Sequence, residues 1–126
     1  MIPKFRAWDK TENKMWNVET IYIEDEWVKV NNGSIYGTTK DLVRDYVLMQ
    51  STGLKDKNGV EIYEGDIVRY NRGISWSVEK FPYVVKNSME GFVFEYGLIQ
   101  HSLSKKIEYV TVIGNIYENP ELLEDN

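Results

Sequence analysis

Apolar and polar residues along this chain fall into short runs with a period close to two, the spacing of half-buried strands rather than of helices. Lys4-Phe5-Arg6-Ala7-Trp8 alternates in this way. Residues 9–14 are polar and turn-rich, and Met15, Trp16, Val18 and residues 21–23 resume the apolar pattern, which predicts a hairpin. Residues 27–30 form a third short strand. Asn31-Asn32-Gly33 follows, and then Ile35-Tyr36. Asn-Gly accepts positive φ at both centres of a type I′ turn, so a second hairpin is expected there. Residues 38–46 break the alternation: Thr39 is placed to cap one helical turn, with Leu42 and Val43 facing inward.

The middle of the chain is dense in turn signals. Residues 47–50 read as a strand entering a core, and residues 54–62 surround Asn58-Gly59, which predicts a hairpin or tight turn. Tyr63-Glu64-Gly65-Asp66 is a further turn, in which Gly65 supplies positive φ and Asp66 bonds backbone amides just beyond it. Residues 67–70 are the strand that follows. Residues 81–85 and 92–96 flank a polar turn at 87–91, and residues 98–103 and 107–113 supply the remaining strands. Near the end, Asn119 is placed as an N-cap, Pro120 at the first helical position and Glu121 in the first turn, with Leu122 and Leu123 inward. Many short strands at near-regular spacing predict a mainly β chain, a small barrel or a sandwich.

Composition narrows the classes. A chain of 126 residues suits one domain, or a small domain with an appendage. It has no cysteine, which rules out disulfides and thiolate metal sites and fits a reducing cytoplasm. No apolar run approaches the roughly 20 residues of a membrane helix, and MIPKFRAWDK has no apolar signal-peptide core. A cytoplasmic location is therefore expected. Acids and bases balance over residues 1–106, at 15 each, so the net charge of -5 arises from the five acids Glu108, Glu118, Glu121, Glu124 and Asp125. Such a chain is repelled by phosphate backbones, which argues against bulk coating of nucleic acid.

Three blocks carry a resemblance to a known family. They are Lys4-Phe5-Arg6-Ala7-Trp8-Asp9, the run LMQSTGLKDKNGVEIYEGDIV at 48–68, and Val112-Ile113-Gly114-Asn115-Ile116-Tyr117-Glu118-Asn119-Pro120-Glu121-Leu122-Leu123. With them the chain resembles the YopX family of phage and prophage proteins. The resemblance implies an SH3-like small β-barrel over residues 47–126, after a β-rich N-terminal part at residues 1–46. It also implies phage origin and residence in a bacterial cytoplasm. It implies no activity and no catalytic residue.

Chemical signatures are few. Aligning Gly59 with the sixth position of a calcium-binding EF loop puts Leu54 first and Gly65 twelfth, where acidic ligands are needed, so the match fails. Gly53 and Gly59 lack the spacing and the following Lys-Ser/Thr of a phosphate loop. His101 is the single histidine; Ser102 and Ser104 lie near it, but no nucleophile-elbow pattern surrounds them. Glu24-Asp25-Glu26 has the composition of a solvated turn. These patterns lead us to expect no enzyme activity, no cofactor and no metal.

The strongest functional candidate is the segment RYNRGISWSVEKFPYVVK at 69–86. It sets the bases Arg69, Arg72, Lys80 and Lys86 against one acid, Glu79, and interleaves Trp76, Phe81 and Tyr83. Arg69, Arg72, Trp76, Lys80, Phe81 and Tyr83 are the candidate partner-binding residues, while Asn58, Gly59, Gly65 and Asp66 are assigned to turns. Such a loop grips a peptide, stacks bases or contacts another subunit; in a flexible hairpin its bases are merely solvated and its aromatics cover the barrel. The load of four Trp and nine Tyr, together with free sheet edges, leads us to expect a homo-oligomer. The leading expectation is a non-enzymatic interaction module for a host or phage protein. The alternative is a nucleic-acid-binding module built on the basic and aromatic loop.

Overall fold

The computed structural model describes residues 4–34, 37–72 and 80–124. The chain divides into two units, Met1–Gln50 and Ser51–Asn126, and is mainly β with antiparallel pairing in both.

In the first unit, β1 (Phe5–Asp9), β2 (Lys14–Tyr22), β3 (Trp27–Asn31) and β4 (Thr38–Leu42) form a meander, and the first half of β5 (Tyr46–Lys55) pairs with β1. The strand order is therefore β4-β3-β2-β1-β5. Ala7, Val28, Val30 and Tyr46 are buried together, with Trp16, Val18, Ile21, Val43 and Leu48 packed against them. Asp9 shapes the β1–β2 turn: its Oδ1 accepts hydrogen bonds from the N–H groups of Thr11 (2.9 Å) and Glu12 (3.1 Å). The Tyr46 hydroxyl donates to Asp41 Oδ2 at 2.6 Å. Burial, then this bond and nearby carboxylates, push the phenol's pKa up.

The second hairpin forms as expected, between β3 and β4, but Asn32-Gly33 does not make a type I′ turn: Gly33 has φ +90°, Asn32 is not in the positive region, and ladder pairing resumes with Asn31 opposite Thr38. Ile35 and Tyr36, expected to begin the return strand, lie outside the described residues. Nor does Thr39 cap a helix. Residues 38–42 pair along β3, and the helical turn is a 3-10 turn at Val43–Asp45, preceded by extended Leu42. A ladder of bonds to β3 satisfies more backbone groups than one helical turn would.

In the second unit, the remainder of β5 pairs with β6 (Glu61–Tyr63). A five-stranded sheet follows, made of β7 (Asp66–Tyr70), β8 (Tyr83–Ser88), β9 (Gly91–Tyr96), β10 (Ile99–Ser102) and β11 (Val110–Asn115), in the order β10-β9-β8-β7-β11. Ile62, Val68, Tyr70, Tyr83, Val85, Phe94, Leu103 and Val110 form its core. The expected strand over 107–113 begins only at Val110. Leu103–Lys106 forms α1, and Ile107–Tyr109 is a 3-10 turn. Ile107 and Tyr109 still pack on the core, so the apolar spacing read as a strand is served by a helical turn instead.

Asp56 organises the predicted turn at Asn58-Gly59. Its Oδ1 accepts from the N–H groups of Asn58 (2.8 Å) and Val60 (2.9 Å), while Oδ2 accepts from the Val112 N–H in β11 (2.9 Å). Gly59 takes φ +84°, which only glycine enters without strain. Gly65 does the same at φ +83°. Asp66 also serves this turn from its far side: its Oδ2 accepts from the N–H of Tyr63, upstream, at 2.8 Å.

The C-terminal turn depends on side-chain amides. Asn115 Oδ1 accepts from the N–H groups of Tyr117 and Glu118, and Asn119 Oδ1 accepts from the Asn115 N–H at 3.1 Å. Asn119 and Pro120 thus take the expected N-cap and first positions of the 3-10 turn Pro120–Leu123, but the Asn119 side chain makes no bond to that turn and its oxygen accepts from Asn115 instead. Leu122 is half-buried, while Leu123 is 40% exposed rather than inward.

Two outcomes follow for stability. A Cβ at Gly114 would stand 2.6 Å from Asn119 Oδ1 and 2.9 Å from Leu122 Cδ1. Gly114→Ala should therefore cost about 1–3 kcal/mol, measured by urea denaturation, and should loosen the C-terminal turn. Asp56→Ala should cost about 1–3 kcal/mol, because three N–H donors lose their acceptor. Burial raises the pKa of Asp56, but its three backbone donors and Lys57 outweigh burial and hold it below the ordinary carboxylate range. A depressed folded-state value adds stability above the unfolded pKa, and this is lost as pH falls through the folded value. Urea titrations at neutral and acid pH should show the gap between wild type and Asp56→Ala narrowing on acidification.

Candidate functional site

Strand alternation divides the predicted binding residues between two faces. On β7, Tyr70 points into the core and Arg69 is exposed. Arg72 and Lys80 are exposed as well. The strand expected over 81–85 starts at Tyr83, and Phe81 and Pro82 lead into it. Tyr83 is 0% exposed, so its ring belongs to the core rather than to a binding surface. It meets Phe94 edge-on at 5.2 Å and Tyr70 at 6.2 Å between ring centroids. Trp76 lies outside the described residues.

Phe81 behaves differently. It is 39% exposed and stacks on Tyr96, with centroids 4.6 Å apart and planes within 5°. A shallow concavity of about 220 Å³ lies beside the stack, lined by Pro82, Val84, Tyr96, Gly97 and Leu123 and bordered by Lys86 and Glu95. Leu98, at the tip of the β9–β10 turn, is fully exposed. Lys86 Nζ donates to Glu95 Oε1, and Gln100 Nε2 donates to Glu95 Oε2 at 3.2 Å. These bonds hold the Glu95 carboxyl below its ordinary pKa, Lys86 foremost. Of the bases in the candidate segment, Lys86 is thus committed to an ion pair, whereas Arg69, Arg72 and Lys80 make no ion pair with another described residue.

His101 is half-buried against aromatic rings, with centroids 4.8 Å from Tyr70 and 5.1 Å from Phe94. Ser102 Oγ lies 3.3 Å from Ser104 Oγ, and the partner of each is the other serine rather than the imidazole. Glu24, Asp25 and Glu26 are exposed in the β2–β3 turn. Among the described residues no group of three His, Cys, Asp or Glu side chains is placed to hold a metal ion. No described helix is long and apolar enough to cross a membrane.

Sequence reasoning missed a concavity of about 370 Å³ in the first unit, lined by Ile21, Tyr22, Ile23, Glu26, Val43 and Arg44. The unbroken run Ile21-Tyr22-Ile23, where alternation lapses, was its signal. It leaves Ile23 84% exposed. Nearby, Lys40 Nζ lies 4.4 Å from the Tyr22 ring centre and 5.5 Å from that of Trp27.

Fold and surface together define a mainly β protein that exposes aromatic and apolar side chains and a Lys86–Glu95 ion pair. The family model described as YopX protein matches residues 4–124, and the chain belongs to the YopX family. It is similar to protein EF1440 from Enterococcus faecalis, known from a crystal structure, at 36% identity and a TM-score of 0.72, over 98% of this chain and 99% of that one. Its fold is also like that of protein yopX from Bacillus subtilis, at 23% identity and a TM-score of 0.63, over 98% and 97% of the two chains. A comparison with curated proteins found no match.

The two aromatic positions should separate on substitution. Tyr83→Ala removes a fully buried ring and should cost roughly 3–5 kcal/mol. Phe81→Ala should cost less than half as much, because its ring is partly solvated. Parallel urea melts of the two variants check the assignment.

Proposed function

We propose that this YopX-family chain is a non-enzymatic protein-interaction module of a phage or prophage. It works in the cytoplasm of the bacterial host, assembles with copies of itself and binds a host or phage protein. The observation that carries this reading is the Phe81–Tyr96 stack, partly exposed beside a concavity that Pro82, Val84 and Leu123 help to line. Exposed aromatic and apolar patches of this kind mark association surfaces. We further propose that the second unit is an SH3-like barrel. Support comes from β7, which pairs with both β8 and β11, and from the 3-10 turn that leads into the last strand.

A nucleic-acid role is the second reading, favoured by the exposed cations Arg69, Arg72 and Lys80, which make no ion pair with another described residue. It is weakened by Tyr83, which offers no face for a base, and by the net charge of -5.

Affinity purification of the tagged full chain from host cells should recover a specific protein that Phe81→Asp and Leu123→Asp both release. Recovery of nothing beyond the tag control, or equal recovery with both variants, counts against the module. Salt-sensitive binding of a labelled oligonucleotide by anisotropy would put the second reading first.

A further inference from the structure

The edges of the described sheets are not equally protected. An exposed sheet edge is a template for another strand, and native proteins blunt such edges with charge or cover them. β4, the outer strand of the first unit, carries Lys40 and Asp41. The outer side of β11 is occupied by the turn that precedes β6: Asp56 Oδ2 takes the Val112 N–H, and Lys57 N–H donates to the Val110 carbonyl. β10, Ile-Gln-His-Ser, has neither device. It carries no Lys, Arg, Asp or Glu, and no backbone bond from another described residue reaches its outer side.

The register shows which groups β10 leaves open. Ile99 lies opposite Tyr96 and His101 opposite Phe94, around the two-residue turn Gly97-Leu98. In a two-residue hairpin the closing pair exchanges both backbone bonds, and bonded pairs then alternate. Ile99 and His101 therefore spend their backbone groups on β9, while Gln100 directs its N–H and C=O outward. Side chains at the edge are apolar as well: Leu98 is fully exposed and Ile99 is 42% exposed.

We propose that β10 is the seam of a two-fold dimer, pairing antiparallel with the same strand of a second copy. The proposal rests on the self-assembly reading above and adds its surface. Gln100 meets Gln100 of the partner subunit across the axis and exchanges two backbone bonds with it. In that register Ile99 lies opposite His101 of the partner subunit, so an exposed aliphatic group covers a half-buried ring twice over. Leu98 lies opposite Ser102 of the partner subunit. No like charges are opposed, and the primary amide at the axis is at once donor and acceptor. A second copy therefore satisfies every position of this edge, which a strand bearing charges would not.

Sedimentation velocity of the full chain over the micromolar range tests the seam. Wild type should rise from the mass of one chain toward two as concentration increases. Gln100→Pro removes the outward N–H, which an edge strand tolerates. It should weaken the dimer about tenfold or more, since the two mutual bonds are lost. Leu98→Lys changes a fully exposed side chain and replaces the apolar group at each end of the seam by a charge that pairing would partly desolvate; it should also shift the equilibrium toward monomer, with an unchanged far-UV circular dichroism spectrum. If Gln100→Pro fails to fold, Leu98→Lys decides. Wild type that stays monomeric overturns the proposal and leaves the edge to a foreign strand. Assembly that both substitutions leave intact also overturns it: the copies then meet elsewhere, and self-assembly itself stands.

Discussion

The second unit depends on one carboxylate. Asp56 is 6% exposed, and its two oxygens take three backbone N–H groups from two places in the chain, the Asn58-Gly59 turn and β11. Desolvating a charge is expensive unless hydrogen bonds replace its water, and the three donors do so here. The bond to Val112 spans more than fifty residues of sequence and ties β11 to the turn that precedes β6. It meets β11 at the register shift between Val112 and Gly114, where the regular ladder is interrupted. Beyond that shift, Gly114 has no side chain, and Asn119 and Leu122 close over it. Turn, last strand and C-terminal tail are thus one construction.

The surface follows from the same sheet. Inward positions of β7, β8 and β9 are filled by Tyr70, Tyr83, Val85 and Phe94, whose rings meet edge-on or tilted. Outward positions carry Arg69, Val84, Lys86 and Glu95. Tyr83 pairs with Val68 inside the ladder and is core, whereas Phe81, two residues earlier, lies ahead of the strand and keeps part of its ring exposed.

Much of this was legible in the sequence because period two and turn chemistry are local signals. The β1–β2 hairpin, the turns at Gly59 and Gly65, and the β8–β9 hairpin all follow from residues within a few positions of each other. What escaped was set by distant partners. Residues 38–42 became a strand because β3 offered a free edge, a fact absent from their own composition. Ile107–Tyr109 took a helical turn whose Ile107 and Tyr109 pack on core residues contributed by distant strands. The candidate site fared similarly. The basic and aromatic composition of 69–86 was plain, but the inward turn of Tyr83 and the capture of Lys86 by Glu95 depend on the register of β8 with β9.

The rings are also unevenly divided by kind. Of the four tryptophans, Trp8, Trp16 and Trp27 belong to the first unit, whereas the core of the second is built from tyrosine and phenylalanine. The chain therefore carries its own optical labels. In a Trp76→Phe background, indole emission reports on the first unit alone, while far-ultraviolet dichroism reports on both. Superimposing the two melting curves measures directly how far the units share one cooperative transition.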